Sequence, residues 1–193
     1  EKVNLIDGSP TLLTLARLEK RKGHEFILQS INKLKDKYPN IRYIIAGEGE
    51  EKSKLKSLVQ SLNISKNVIF IGSVNDGEKK FILKKTDLMI MPTIDESKKL
   101  SIEGFGITYI EAALFGIPSI ASNVGGTIEA VLHNNTGIVI DNLDELEITI
   151  SDLIEDKIKM KKLGENAKKR AQSQLSWTNI IKDYNKLIVE ATL

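Results

Sequence analysis

The stretch 41-IRYIIAGEGEEKSKLKSLVQSL-62 runs apolar, breaks at a glycine and resumes with a different period. Residues 41–46 (IRYIIA) are almost unbroken in their apolar character and end at Gly47, which marks a strand buried on both faces. Residues 52–62 place Leu55, Leu58, Val59 and Leu62 at i, i+3, i+4 and i+7, one face of a helix. A doubly buried strand followed directly by an amphipathic helix is the repeating unit of a parallel sheet with helices on its faces.

The same alternation extends in both directions. Toward the N-terminus, residues 11–16 (TLLTLA) read as a strand, and 24–37 as a helix with Ile27, Ile31 and Leu34 inward. Toward the C-terminus come a strand at 68–71, a short helix at 78–85, a strand at 88–91 and a long loop at 92–102. A helix beginning near Gly106 follows, then strands at 118–122 and 137–140 with a short helix from Thr127 between them. Helices are predicted over 143–154, 157–173 and 177–191. The expected fold class is α/β: a doubly wound, Rossmann-like parallel sheet of about six strands flanked by helices, with a helical C-terminal tail. Ligands of such sheets sit beyond the carboxyl ends of the strands. The loops to watch are therefore 17–23, 47–51, 72–77, 92–106 and 123–127.

Composition narrows the function classes. Of 193 residues, 41% are hydrophobic and 28% charged, ordinary for a globular domain, and the net charge of +2 gives no argument for nucleic acid. There is no cysteine, which excludes disulfides, thiolate metal sites and a cysteine nucleophile. His24 and His133 are far apart and lack metal-ligand spacing, so each is expected to do local work, at a helix start and in a surface turn. No apolar run reaches the length of a membrane span and no signal peptide opens the chain, so a cytoplasmic location is expected. The start at Glu1 suggests a fragment of a longer protein.

Two carboxylates interrupt the most apolar helix, EGFGITYIEAALFG (103–116). Glu111 lies four residues after Ile107 and three before Leu114, on the stripe that Ile107, Ile110 and Leu114 predict as buried. A carboxylate there needs hydrogen-bond donors. A vicinal diol, as in a ribose, would supply two; backbone amides would serve equally. Glu103 is expected at the rim of the helix mouth, facing a sugar hydroxyl, a developing positive centre or simply the helix dipole. The glycines Gly104 and Gly106 let an anion such as a phosphate approach the unpaired first amides. In ARLEKRKG (16–23), Arg17 and Lys22 could neutralise a diphosphate, whereas Lys20 and Arg21 are expected to be solvated. No G-x-G-x-x-G follows the first strand, so a dinucleotide reading fails.

ARLEKRKG, AGEGEEKSKL, EGFGITYIEAALFGIPSIASNVGGTIEAV and TGIVI occur in this order. Together they closely resemble the C-terminal, donor-binding domain of retaining GT-B glycosyltransferases of family 4. The pattern there is roughly G-R-x-x-x-x-K-G, a later G-x-G, and E-x-F-G-x-x-x-x-E-A-x-A-x-G-x-P. The spacing from Glu103 to Glu111 is its most specific part. Ala16 stands where the pattern has glycine, and Lys98 and Lys99 in the 92–102 loop have no assigned role.

The resemblance implies a role for each matching position. Arg17 and Lys22 would hold the donor diphosphate. The backbone of Gly104, Phe105, Gly106 and Ile107 would cradle phosphate and sugar. Glu103 would contact hydroxyls of the transferred sugar and Glu111 the ribose diol. Val74 would meet the base, and Gly125-Gly126 would form a tight loop near the donor. Catalysis would rest on Glu103, Arg17 and Lys22, without a metal or cofactor, the nucleotide diphosphate sugar being a substrate.

Residues 1–175 are expected to form the donor domain and 176–193 a terminal helix, the acceptor domain being absent. The implied function is sugar transfer to a glycan or lipid-linked acceptor in polysaccharide or lipopolysaccharide synthesis. A nucleotide-sugar epimerase or a non-catalytic binding module is the alternative. In the family the terminal helix packs on the missing half, so the stripe beginning at Trp177 could be partly exposed. The basic helix 157–173, with Met160, Leu163, Ala167 and Ala171 inward, presents either a solvated face or a contact for anionic membrane.

Overall fold

The computed structural model describes residues 9–96 and 103–191; in the last helix the side chains of 177, 183, 186, 187 and 189–191 lie outside that description. Six parallel strands form one sheet: β1 (Thr11–Leu15), β2 (Arg42–Ala46), β3 (Val68–Gly72), β4 (Leu88–Met91), β5 (Ser119–Ser122) and β6 (Gly137–Ile140). Their order across the sheet is β3-β2-β1-β4-β5-β6. The chain thus winds outward from β1 to β3, returns to the centre, and winds outward again from β4 to β6. The reversal lies between β1 and β4, where the departing loops diverge and open a crevice. Those two loops carry Arg17–Lys22 and Glu103.

The helices are α1 (His24–Leu34), α2 (Lys52–Ser61), α3 (Asp76–Lys84), α4 (Ile107–Leu114), α5 (Thr127–Ala130), α6 (Leu146–Glu155), α7 (Lys157–Ser173) and α8 (Trp177–Ala191). The unbroken apolar strands are explained by two cores, one on each sheet face. Leu12, Tyr43, Ile45, Leu88, Ile90 and Ile120 point into one, with helix residues such as Ile27, Leu55 and Leu146. Their neighbours Leu13, Ile44, Ala46, Met89, Met91 and Ala121 point into the other, with Ile82, Tyr109 and Ala112. Side chains alternate between faces with period two. Each fully buried leucine or isoleucine contributes about 1.5–3 kcal/mol.

Strand positions follow the sequence expectation closely; helix starts differ where side chains cap. α3 begins at Asp76, two residues before the predicted start, because Asn75 accepts from the Glu78 amide while Glu78 accepts from the Asn75 amide. The helix predicted over 143–154 divides into a 3-10 turn at Leu143–Glu145 and α6. The loop predicted over 92–102 is described only to residue 96, so Lys98 and Lys99 lie outside the described residues. In α7, Leu163, Ala167 and Ala171 are buried as expected, with Met160 packed beside the core. In α8, Ile181, Tyr184 and Ile188 are exposed.

Candidate functional site

The β1 exit is built around Leu18, which is fully buried. Its amide donates to the Glu48 carbonyl at 2.9 Å and its carbonyl accepts from the Glu51 amide at 3.0 Å, so the GEG turn after β2 braces this loop. A 3-10 turn follows at Lys20–Lys22. Three consecutive side chains on such a turn point about 120° apart and cannot all face water. Lys20 is exposed as expected. Arg21 is not solvated: its side chain keeps only 12% exposure, donates from Nε to Glu19 Oε2 at 3.0 Å, and from Nη1 to Glu103 Oε2 at 2.8 Å. Lys22 is buried and donates to the same Glu103 oxygen. Arg17 does not join Lys22. It stands 74% exposed, paired with Glu19 Oε1 at 2.8 Å, and with Glu19, Arg21 and Gly49 lines an open cleft of about 560 Å³.

Glu103 is buried rather than at a rim. Burial by itself would raise its pKa, but the Lys22 and Arg21 cations outweigh that and hold its carboxyl below the ordinary range. Burial pulls the Lys22 ammonium below its ordinary value, and Glu103 offsets this only in part. Arg17 and Arg21 pair with Glu19, and Arg21 and Lys22 with Glu103; Glu50, Glu51 and Glu96 also line the cleft beside them. An anion entering here would compete with these carboxylates for Arg17, Arg21 and Lys22.

Behind Glu103 the turn after β5 comes very close. The Gly126 amide donates to the Glu103 carbonyl at 3.0 Å, and a Cβ on Gly126 would lie 1.8 Å from the Gly104 carbonyl oxygen. The predicted tight loop at Gly125-Gly126 is thus the wall against which residues 103–104 are set. Gly104 is exposed, and a Cβ there would meet no protein atom within 4 Å. Phe105 is half-buried against the second core. Gly106 caps α4 with φ +83°, a left-handed conformation that favours glycine. The first amides of α4 thus follow the exposed Gly104 and the cation cluster, with the positive end of the helix dipole behind them.

The buried face of α4 is Tyr109, Ala112 and Ala113, not Ile107, Ile110 and Leu114. Ile107 is 69% and Leu114 45% exposed, with Ile110 between. The helix is apolar all round, so periodicity could not choose its face. The structure chooses the alanines, because Ala113 packs on Ala167 and Ala171 of α7 and a larger residue would hold the helices apart. Tyr109 fills the space beneath β4 and donates to the Met91 carbonyl at 2.6 Å.

Glu111 consequently lies beside Ile107 on the half-open face. Its Oε1 accepts from Lys79 Nζ of α3 at 2.6 Å, with the two side chains 29% and 26% exposed. The Glu111 carboxylate, helped by Asp76, outweighs the lowering effect of burial and raises the Lys79 pKa. Val74, expected near a base, is half-buried at the entry to α3. Glu19, Arg21 and Lys79 are charged residues of this network that were given no site role from the sequence. The capping box 75–78 found in the structure fixes where Lys79 emerges, and no local signal in the sequence pairs 79 with 111.

His24 sits beneath the β1 exit. Its Nδ1 lies 3.1 Å from the Tyr43 hydroxyl, which lies 2.8 Å from Thr14 Oγ1. Burial pushes the imidazole down to about 4, so it is neutral. His133 is exposed in a turn, its Nδ1 2.9 Å from the Val139 carbonyl. Both do local work, as expected. Among the described residues no helix is long and apolar enough to cross a membrane.

The chain is similar to known proteins in sequence and fold. The uncharacterized glycosyltransferase MJ1607 of Methanocaldococcus jannaschii is 29% identical over 183 residues, covering 94% of this chain and 45% of that protein. The GDP-mannose-dependent alpha-(1-6)-phosphatidylinositol monomannoside mannosyltransferase of Mycobacterium tuberculosis is 28% identical over 173 residues, covering 89% and 45%. The chain thus spans less than half the length of these relatives. Among solved structures, Anabaena Alr3699/HepE in complex with UDP and glucose superposes with a TM-score of 0.82 at 21% identity, over 96% of this chain and 49% of that one. The C-terminal domain of a glycosyl transferase group 1 family protein (LpcC) from Francisella tularensis gives 0.77 at 19% identity, over 92% and 94%. The shared fold is the Rossmann-like half of GT-B. Residues 1–170 match the family described as glycosyl transferases group 1, and the chain belongs to that family.

Proposed function

We propose that this chain is the donor-binding part of a retaining glycosyltransferase that takes a sugar from a nucleotide diphosphate sugar. The observation that carries the reading is the arrangement around the α4 N-terminus. Glu103 lies against the cation cluster before the first turn, Glu111 stands one turn inside the helix, and exposed Gly104 leads into the amides between them. In this reading the diphosphate lies on those amides and on Arg17 and Lys22. The ribose diol is held by Glu111, the base lies toward Val74, and the transferred sugar reaches Glu103. Arg17 and Lys22 are paired with Glu19 and Glu103. Binding a diphosphate exchanges those carboxylates for phosphate oxygens and leaves Glu103 able to accept from a sugar hydroxyl.

Bond cleavage places negative charge on the leaving diphosphate. Fixed amides and cations aimed there stabilise the transition state more than the ground state. Glu103, ionised beside the sugar, stabilises positive charge at the anomeric carbon. No side chain is assigned as a covalent nucleophile, no step uses a metal, and the acceptor is a glycan or lipid-linked group bound outside this chain. The exposed α8 face of Ile181, Tyr184 and Ile188 is the proposed seat of the acceptor-side domain. Calorimetric titration with UDP, GDP and ADP tests the reading. One of them binds, and Glu111→Ala weakens it at least about tenfold, the worth of a hydrogen-bonded charge. Binding of none would overturn it.

A peripheral contact with anionic membrane is supported by α7. Lys157, Lys159, Lys162, Lys168 and Lys169 are exposed, and Ile158 beside them is 84% exposed. A basic face with one apolar wedge suits an anionic bilayer on the cytoplasmic side. Co-sedimentation with phosphatidylserine-containing but not phosphatidylcholine vesicles is expected; equal recovery with both would end this reading.

A further inference from the structure

Glu111 is held from one side only. Lys79 Nζ contacts Oε1 at 2.6 Å, and among the described residues Oε2 has no protein partner. Lys79 itself emerges at a fixed place. The reciprocal Asn75–Glu78 cap sets the first turn of α3, and Lys79 is the next residue. Its ammonium has three protons: one faces Glu111, and a second is shared with Asp76 Oδ1 at 3.3 Å. Each carboxylate oxygen carries two acceptor positions. Oε1 can therefore accept from Lys79 and from a hydroxyl at once, while Oε2 accepts from a neighbouring hydroxyl.

A nucleoside lying over Glu111 removes water from the carboxylate. An uncompensated charge there would oppose binding, and a free carboxylate could rotate away from the diol. A cation fixed on the far side of Oε1 answers both problems. We propose that Lys79 is a donor-site positioning residue: its ammonium anchors and neutralises Glu111 so that the carboxylate accepts the 2′- and 3′-hydroxyls of a ribonucleoside diphosphate. The inference rests on the diol role of Glu111 and adds a residue and a specificity to it. Lys79 makes the site select ribose over deoxyribose.

The test is a double-mutant cycle by isothermal titration calorimetry. UDP, GDP and ADP are titrated into the chain, and the tightest binder is compared with its 2′-deoxy counterpart. Lys79→Met is expected to weaken the ribonucleotide about two- to fivefold, the range for a partly exposed ion pair. Lys79→Arg restores most of the affinity. The Lys79→Met effect is smaller for the 2′-deoxy nucleotide, which keeps its 3′-hydroxyl, and disappears in a Glu111→Ala background. Equal weakening of both nucleotides, an undiminished effect without Glu111, or unchanged or tighter binding by Lys79→Met would each overturn the inference. Failure of the underlying reading looks different: the unaltered chain binds none of the three, or Glu111→Ala binds as well as it does.

Discussion

The ammonium of Lys22 and the carboxylate of Glu103, 81 residues apart in the chain, meet on one buried oxygen that Arg21 also shares. The contact joins the loops that leave β1 and β4, so it closes the switch point of the sheet from below. Its energetics are asymmetric. Glu103→Gln leaves Lys22 buried without a counterion and is expected to destabilise the fold by about 3 kcal/mol. Lys22→Met leaves Glu103 paired with Arg21 and is expected to cost less than half of that. Urea unfolding of the two variants checks the order; a larger loss for Lys22→Met would mean that Arg21 does not carry the carboxylate.

Two glycines in the same wall should behave oppositely. Gly126→Ala places a methyl 1.8 Å from the Gly104 carbonyl oxygen, so the β5–α5 turn must move. A loss of about 2 kcal/mol or more and of nucleotide affinity is expected, as for other overpacked sites. Gly104→Ala meets no protein atom within 4 Å, so stability should change by under about 0.5 kcal/mol. If residues 104–107 cradle a diphosphate, Gly104→Ala nevertheless lowers affinity for UDP, GDP or ADP. Thermal melts and titration of both variants separate the cases.

The exposed face of α4 makes a third contrast. Ile107→Ala removes a side chain that is 69% exposed and should leave the unfolding free energy within about 0.5 kcal/mol. Ala112→Leu, at a fully buried position, should cost about 1–3 kcal/mol. Denaturation midpoints that reverse this order would restore Ile107 to the core.

His24 gives the fold an acid-sensitive element. Its pKa is about 4 in the folded chain, below the ordinary 6.5, so the unfolded chain takes up the proton first as pH falls. Stability from this group is complete above about pH 6.5 and declines down to about pH 4. One such histidine removes about 2 kcal/mol between pH 8 and pH 5. His24→Gln should show a shallower stability slope over that range, and a parallel slope would place the titration elsewhere.

The strands were legible because each is a short apolar run ended by a turn, and burial on both faces leaves no alternation to misread. That the sheet is parallel and doubly wound was also legible, since every strand is followed by a helix; the order of its strands was not read from the sequence. The face of α4 was not: Ile107, Tyr109, Ala112 and Leu114 are all apolar, and only packing against Ala167 and Ala171 decides among them. Arg21 was misjudged because four charged residues follow one another at 19–22, and a sequence does not say which of them turns inward. Glu103 and Glu111 stood out because carboxylates are rare in so apolar a segment. Their partners were hidden, lying 82, 81 and 32 residues away on other elements.

The most direct test is a crystal structure of this chain with UDP, GDP or ADP bound. The account predicts the diphosphate within hydrogen-bond distance of the amides between Gly104 and Ile107 and of Lys22, with the ribose hydroxyls on Glu111. A diphosphate seated elsewhere, with Glu111 still held only by Lys79, would contradict it.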